Sequence, residues 1–192
     1  MHTLLQYLEH IFSSYASRPH TGRTGRRAAV LVPLIAADTG FQLLLTKRTD
    51  TVEHHKGQIS FPGGAADECD ASLIGTALRE AYEEIGLPPE AVRILGMQDE
   101  VWTPTGFLIT PIIGVISALP ALVPNPAEVR DIMCVPFEAF FDERRLRQET
   151  RVIDGIDRIV YFYDVGDEPV WGATAFIIHR LVSLLREHGW KH

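Results

Sequence analysis

The run Arg79-Glu80-Ala81-Tyr82-Glu83-Glu84 places three carboxylates and one guanidinium within a few residues of one another. At 100° per residue, Glu80, Glu83 and Glu84 fall within about 100° of helical arc. Ile74, Leu78, Ala81 and Ile85 gather roughly opposite. One face of such a helix enters the core, and the other presents the three carboxylates to solvent. Like charges at i,i+3 and i,i+4 cost a helix about a few tenths of a kcal/mol per pair. The face is therefore either simply solvated or offset by a cation. Oxygen donors in a cluster suit a hard ion such as Mg²⁺, Mn²⁺ or Ca²⁺. Upstream, Phe61-Pro62-Gly63-Gly64 offers two glycines whose backbone groups can approach a ligand without a Cβ in the way. A P-loop is excluded, because no GxxxxGK[ST] follows.

The elements that must position these groups are legible on both sides. A helix is expected over 72–85, with Asp70 or Ser72 as its cap, Gly86 as its left-handed terminator and Pro88-Pro89 as a block. Ala28–Ala37 reads as a buried strand, and Phe41–Arg48 returns as its hairpin partner. Ala91–Met97, Leu108–Ser117 and Val129–Val135 read as further strands, and Phe137–Phe141 as a helical turn. Arg147–Ile153 and Ile156–Tyr163 flank Asp154-Gly155, a two-residue hairpin signal. Amphipathic helices are expected at Met1–Ser14 and Ala173–Glu187. Strands, one central helix, more strands and a last helix do not alternate as a doubly wound fold does. The order indicates an α+β class with a mixed sheet between helices, in one domain over 1–192.

Charge and composition narrow the function classes. The chain has 25 acidic and 18 basic side chains, a formal net charge of −7. That balance disfavours nucleic acid and anionic membranes as partners. Residues 63–87 hold six of the acids and only one base, Arg79, so −5 of the −7 is local. The stretch 101–127 carries no charge, yet Pro104, Pro111, Pro120, Pro124, Gly106 and Gly114 break it up, so a membrane span is not expected. Cys69 and Cys134 stand 65 positions apart with no CxxC, which fits reduced thiols in a cytoplasmic protein. The adjacent His54 and His55 read as loop polarity. Arg18–Arg27 reads as a flexible basic loop, and Trp102 and Phe107 as either packing or stacking groups.

The combined pattern Gly64-x5-Asp70-x8-Arg79-Glu80-Ala81-x-Glu83-Glu84-x-Gly86-Leu87 resembles the box of the Nudix hydrolases, G-x5-E-x7-R-E-U-x-E-E-x-G-U. Asp70 stands where glutamate is usual, and the spacer to the arginine is one residue longer. A second pattern, Leu44-Leu45-Thr46-Lys47-Arg48, then Gly57, then Phe61-Pro62-Gly63-Gly64, is similar to the extra motif of the coenzyme A pyrophosphatases, LLTxR[SA]x3Rx3Gx3FPGG. Thr49 and Glu53 depart from it, and Glu53 reverses a charge. The resemblance implies a Nudix-type α/β/α sandwich with a mixed sheet and a loop-helix-loop catalytic motif over 64–87. It implies Mg²⁺ or Mn²⁺ held by Glu80, Glu83, Glu84 and the Gly63 carbonyl, with Arg79 orienting a carboxylate and pairing with Asp70. Glu80 or Glu128 would be the general base. Arg48, Arg27, Gly57 and Gly64 would meet the substrate. That substrate would be a small nucleoside diphosphate-linked molecule, coenzyme A first, with ADP-ribose or NADH as the alternative. A homodimer is compatible with the resemblance.

Overall fold

The computed structural model describes residues 3–38, 40–49 and 57–190. Glu53, His54, His55 and Lys56 lie outside the described residues, as does the Met1 end of the expected first helix. Helix α1 (Leu4–Ser14) begins at a capping box formed by Thr3 and Gln6. Strands β1 (Arg26–Ala37) and β2 (Gly40–Arg48) follow, then two short strands, β3 (Ile59–Ser60) and β4 (Gly63–Ala65). Helix α2 (Leu73–Ile85) comes next. Strands β5 (Arg93–Met97), β6 (Val101–Trp102), β7 (Phe107–Ile116) and β8 (Val129–Pro136) continue the chain. Strands β9 (Leu146–Ile153), β10 (Ile156–Tyr163) and β11 (Val170–Trp171) precede the last helix, α3 (Gly172–Glu187).

Among the described residues eight strands form one mixed sheet along the path β3-β2-β1-β7-β5, with β4 on β1, β6 on β7 and β8 on β2. The long β1–β7 pairing is parallel and the other pairings are antiparallel. Alternation along β1 explains the layers. Ala29, Leu31 and Ile35 face α2, where Ala77, Ala81 and Ile85 cover them. Val32 and Leu34 face the other way, onto Leu4, Leu8 and Phe12 of α1 and Ile177, Ile178 and Leu181 of α3. The sheet is thus buried on both sides, an α+β sandwich of three layers, as expected. The uncharged stretch resolves into β6, β7 and irregular chain, and no described helix is long and apolar enough to cross a membrane.

One expectation needs correction, and two features go beyond what was expected. The strand expected from Ala91 starts at Arg93, because Pro89–Ala91 make a single 3-10 turn first. The break at Phe61-Pro62-Gly63-Gly64 is not only a loop, because Gly63–Ala65 pair with β1. The last three strands do not join the main sheet but form their own, in the order β11-β10-β9.

One buried acid ties the outer layer together. Asp99, 6% exposed, accepts hydrogen bonds from the Tyr15 hydroxyl (2.7 Å), the Arg18 backbone N–H (2.9 Å) and Arg180 Nη2 (2.6 Å). It links the chain after α1, the β5–β6 turn and α3. Burial alone raises its proton affinity, but the Arg18 N–H, the Tyr15 hydroxyl and the guanidinium groups override it and hold the carboxyl below its ordinary value. A folded-state value below the unfolded one stabilises the fold above about pH 4 and is lost as pH falls through it. Asp99→Asn is expected to destabilise by about 2–3 kcal/mol at pH 7. The gap to wild type in urea unfolding should shrink as the pH drops below about 4.

Candidate active site

The Phe61-Pro62-Gly63-Gly64 segment is laid against β1 by Leu31 N–H donating to Pro62 O (2.9 Å) and by the register Val30↔Gly63, Ala29↔Gly64. At Gly63, φ is +153°, and a Cβ would come within 2.4 Å of the Ala29 carbonyl oxygen. At Gly64 an added Cβ would meet the Glu80 carboxylate at 2.4–2.6 Å. Both positions exclude a side chain, the first for backbone packing and the second because the Glu80 carboxylate occupies that space.

Helix α2 is fixed at both ends. Ser72 Oγ accepts from Gly75 N–H (3.1 Å), and Gly86, in the left-handed region at φ +67°, donates to Tyr82 O (2.8 Å). Of the two caps considered, Ser72 does the capping. Asp70 instead takes Arg79 in a two-pronged pair: Nε to Oδ1 at 2.9 Å and Nη2 to Oδ2 at 3.0 Å. The shorter acid and the longer spacer therefore still close this contact. Asp67 N–H and Thr76 Oγ1 also donate to Asp70, at 2.9 and 2.8 Å. Arg79 first and these donors next hold the Asp70 carboxyl far below the usual carboxylate range. The remaining guanidinium donors reach Glu80 (3.0 Å), Glu83 (2.9 Å) and the Ala65 carbonyl (3.3 Å).

The expectation that all three helix carboxylates face solvent fails at Glu84. It is only 3% exposed. Gly63 N–H donates to its Oε2 at 3.2 Å, and Arg48 Nη1 lies 3.5 Å from its Oε1. The segment after β7 covers it: Val123 N–H donates to Ile85 O and Asn125 N–H to Glu84 O. Burial pushes the Glu84 carboxyl up to about 8 against the pull of Arg48 and the Gly63 N–H, and Glu80 and Glu128 add to the rise. Glu80 is raised too, by burial first, with Arg79 opposing and Glu83 and Glu128 adding. Glu83 is half exposed.

The structure therefore sets Gly64 against Glu80, and Gly63 and Arg48 against Glu84, with Glu128 near enough to raise both carboxyls. Glu128 sits just before β8, and Asn125 Nδ2 donates to its Oε1 (3.4 Å). This contact of Asn125 was missed in the sequence, although the Asn125-Pro126 turn signal was present. Gly57, at φ +65°, stands just ahead of Gln58, whose carbonyl accepts from Arg48 N–H (3.1 Å). Arg27 is not part of the group. Its Nη2 reaches Glu100 Oε1 at 3.3 Å, in a recess of about 430 Å³ that Arg18, Ile74 and Met97 also line. In the basic loop Arg23 is engaged with Asp154 (3.2 Å) and lies 4.4 Å over the Trp102 ring, which Arg158 also covers.

The chemistry of this donor set fits a hard divalent cation. Burial first, then the charges of neighbouring carboxylates, raise the proton affinity of both groups: Glu80 and Glu128 act on Glu84, and Glu83 and Glu128 act on Glu80, which marks anionic charge with too little countercharge. As arranged, Glu80 and Glu83 turn to Arg79, and among the described residues no three acidic, His or Cys groups are gathered around one point. Arg79 engages Glu80 through Oε1, which leaves Oε2 available to an ion.

Residues 25–154 match the NUDIX domain family. A Nudix hydrolase NudL of Pectobacterium atrosepticum is 42% identical over 164 residues, 81% of this chain and 81% of its own. The NudL of Photorhabdus laumondii is 42% identical over 166 residues, 82% and 84% of the two chains. In fold the chain is similar to the Nudix hydrolase RenU of M. smegmatis (TM-score 0.59, 21% identity, 90% and 92% of the two chains). It is also similar to the NUDIX domain of Shewanella oneidensis NrtR complexed with ADP ribose (TM-score 0.53, 21% identity, 97% and 99%).

Proposed function

From the premise that this chain belongs to the Nudix hydrolases, which cleave nucleoside diphosphate-linked substrates, we propose that it is a single-domain coenzyme A diphosphatase. It hydrolyses coenzyme A or its derivatives to adenosine 3′,5′-bisphosphate and 4′-phosphopantetheine or the acylated form. The observation that carries this reading is the spacing from Leu44-Leu45-Thr46-Lys47-Arg48 through Gly57 to Phe61-Pro62-Gly63-Gly64. Free, exposed thiols at Cys69 and Cys134 support a cytoplasmic location.

Glu80, Glu83, Glu84 and the Gly63 carbonyl would hold Mg²⁺ or Mn²⁺. When bound, the ion supplies Lewis-acid charge neutralisation of the diphosphate and a more acidic water. The chain's own residues do the rest. Arg79 fixes the helix carboxylates against Asp70 and Ala65. Gly64 leaves the room that the Glu80 carboxylate fills. Glu128 or Glu80 takes the proton from the attacking water. Arg48, shared with Glu84 at 3.5 Å, is free to turn to a phosphate once a cation neutralises Glu84.

A second reading, a broader pyrophosphatase acting on ADP-ribose or NADH, is favoured by Glu53, which reverses the charge of the coenzyme A pattern. Turnover of coenzyme A, NADH, ADP-ribose, diadenosine polyphosphates and 8-oxo-dGTP with Mg²⁺ or Mn²⁺ decides between them. Coenzyme A is expected to have the highest kcat/KM. Faster turnover of any other member sinks the specificity.

A further inference from the structure

The β9–β10 hairpin is held rigidly yet leaves one side open. Its inner end is fixed by Tyr161 stacked on His179 (ring centroids 4.1 Å apart) and by Phe162 stacked on Trp171 (6.1 Å). Its tip is fixed by Asp154 to Arg23 and by Arg158 over Trp102. Strand β9 pairs only with β10, so its outer edge carries no strand among the described residues. An ordered, unpaired edge is a template for another strand, and its rigidity keeps the ordering cost of pairing low.

The register of the hairpin tells which backbone groups face outward. Asp154 and Gly155 both have positive φ, 53° and 73°, the two-residue turn that makes Ile153 and Ile156 a hydrogen-bonded pair. Alternation then turns Arg151, Glu149 and Arg147 toward β10, and leaves the N–H and C=O of Gln148, Thr150 and Val152 pointing out. The occupant that fits this edge is a second copy of the same strand. An antiparallel pair related by a two-fold axis sets residue i opposite its own copy. Centred on Glu149 or Arg151, that pairing opposes like charges. Centred on Thr150, it sets Glu149 opposite Arg151 of the other copy twice, in the close, non-hydrogen-bonded positions. It also uses the outward groups of Gln148, Thr150 and Val152 on both copies. Val152 and Ile159, 72% and 53% exposed, share one face of the hairpin beside this axis.

We propose that two copies of this chain associate through β9, antiparallel and centred on Thr150, to make one continuous six-stranded sheet from the two three-stranded ones. Light scattering coupled to size exclusion should give twice the 21.5 kDa chain mass for wild type. Glu149→Arg puts four arginines around the axis and should return the monomer mass. The swap Glu149→Arg with Arg151→Glu restores opposite charges across the axis and should restore the dimer. Thr150→Pro removes the central outward N–H and should give a monomer, with circular dichroism confirming that it is folded. A monomeric wild type at all concentrations overturns the proposal. So does a dimer that survives both Glu149→Arg and Thr150→Pro, because it must then use another surface.

Discussion

Glu84→Gln is expected to reduce kcat by about 10²–10³-fold or more while leaving the fold intact. The activity loss follows if Glu84 helps neutralise the diphosphate through a bound cation, since a neutral amide is a poor ligand for a hard ion. The fold is preserved for a different reason from the one the helical wheel suggests. Glu84 does not face water; it is buried, and burial pushes its carboxyl up to about 8. At pH 7 the metal-free protein therefore holds it mostly protonated, and Gln is a near-isostere of that neutral acid. Its amide oxygen can still accept from Gly63 N–H. The sign of the pH effect is fixed. A carboxyl raised in the folded state costs stability as pH climbs from about 4.3, the unfolded value, through the folded one. Metal-free wild type should thus lose stability as pH rises through that window, and Glu84→Gln should not. Thermal melts in chelator across pH 5–9, beside kcat with Mn²⁺, check both halves. Wild-type kcat in the variant removes Glu84 from the site.

That burial marks the boundary of what sequence reading reached. The limits of α2 were written in Ser72 and Gly86, and the hairpin in Asp154-Gly155, because caps and two-residue turns are local chemistry. The sandwich class followed from element order. Glu84 was misplaced because periodicity orders residues around a helix but does not say what covers them. Glu84 lies about 20° from Ala77 on the wheel, and the chain at Val123 and Asn125 comes back over it. Strands β3, β4 and β6 have two or three residues each, too few for alternation to register. Arg27 was named among the substrate-binding candidates, and in the structure its guanidinium reaches Glu100. Conversely Asp70 is shorter than the glutamate usual there, and closure of the loop from Ala65 to Ser72 brings it to Arg79 regardless. Charge is local in the same way. The net −7 argued against nucleic acid and anionic membranes as partners, but most of it sits in 63–87, where a bound cation would reverse its sign.

Arg79→Ala should damage both activity and fold, lowering kcat/KM by about 10²-fold or more and stability by about 2–4 kcal/mol. Among the described residues the guanidinium alone touches Asp70, Glu80, Glu83 and the Ala65 carbonyl at once, all within 3.3 Å. It joins the loop that begins the box to the helix that carries its carboxylates. Removing it leaves Asp70, whose side chain is 6% exposed, with two neutral donors and no countercharge. Arg79→Lys should recover little, because an ammonium cannot form the two parallel bonds to Asp70. A double-mutant cycle separates the loop contact from the rest. Asp70→Asn should cost about 1.5–3 kcal/mol in wild type and much less beside Arg79→Ala. The Asp70 carboxyl is held far below its unfolded value, so this coupling is present above about pH 4 and fades as acid protonates it. Additive losses in that cycle at pH 7 would mean that Arg79 acts on the helix carboxylates alone. The Asp70 position would then be tolerant of any residue that lets the loop close.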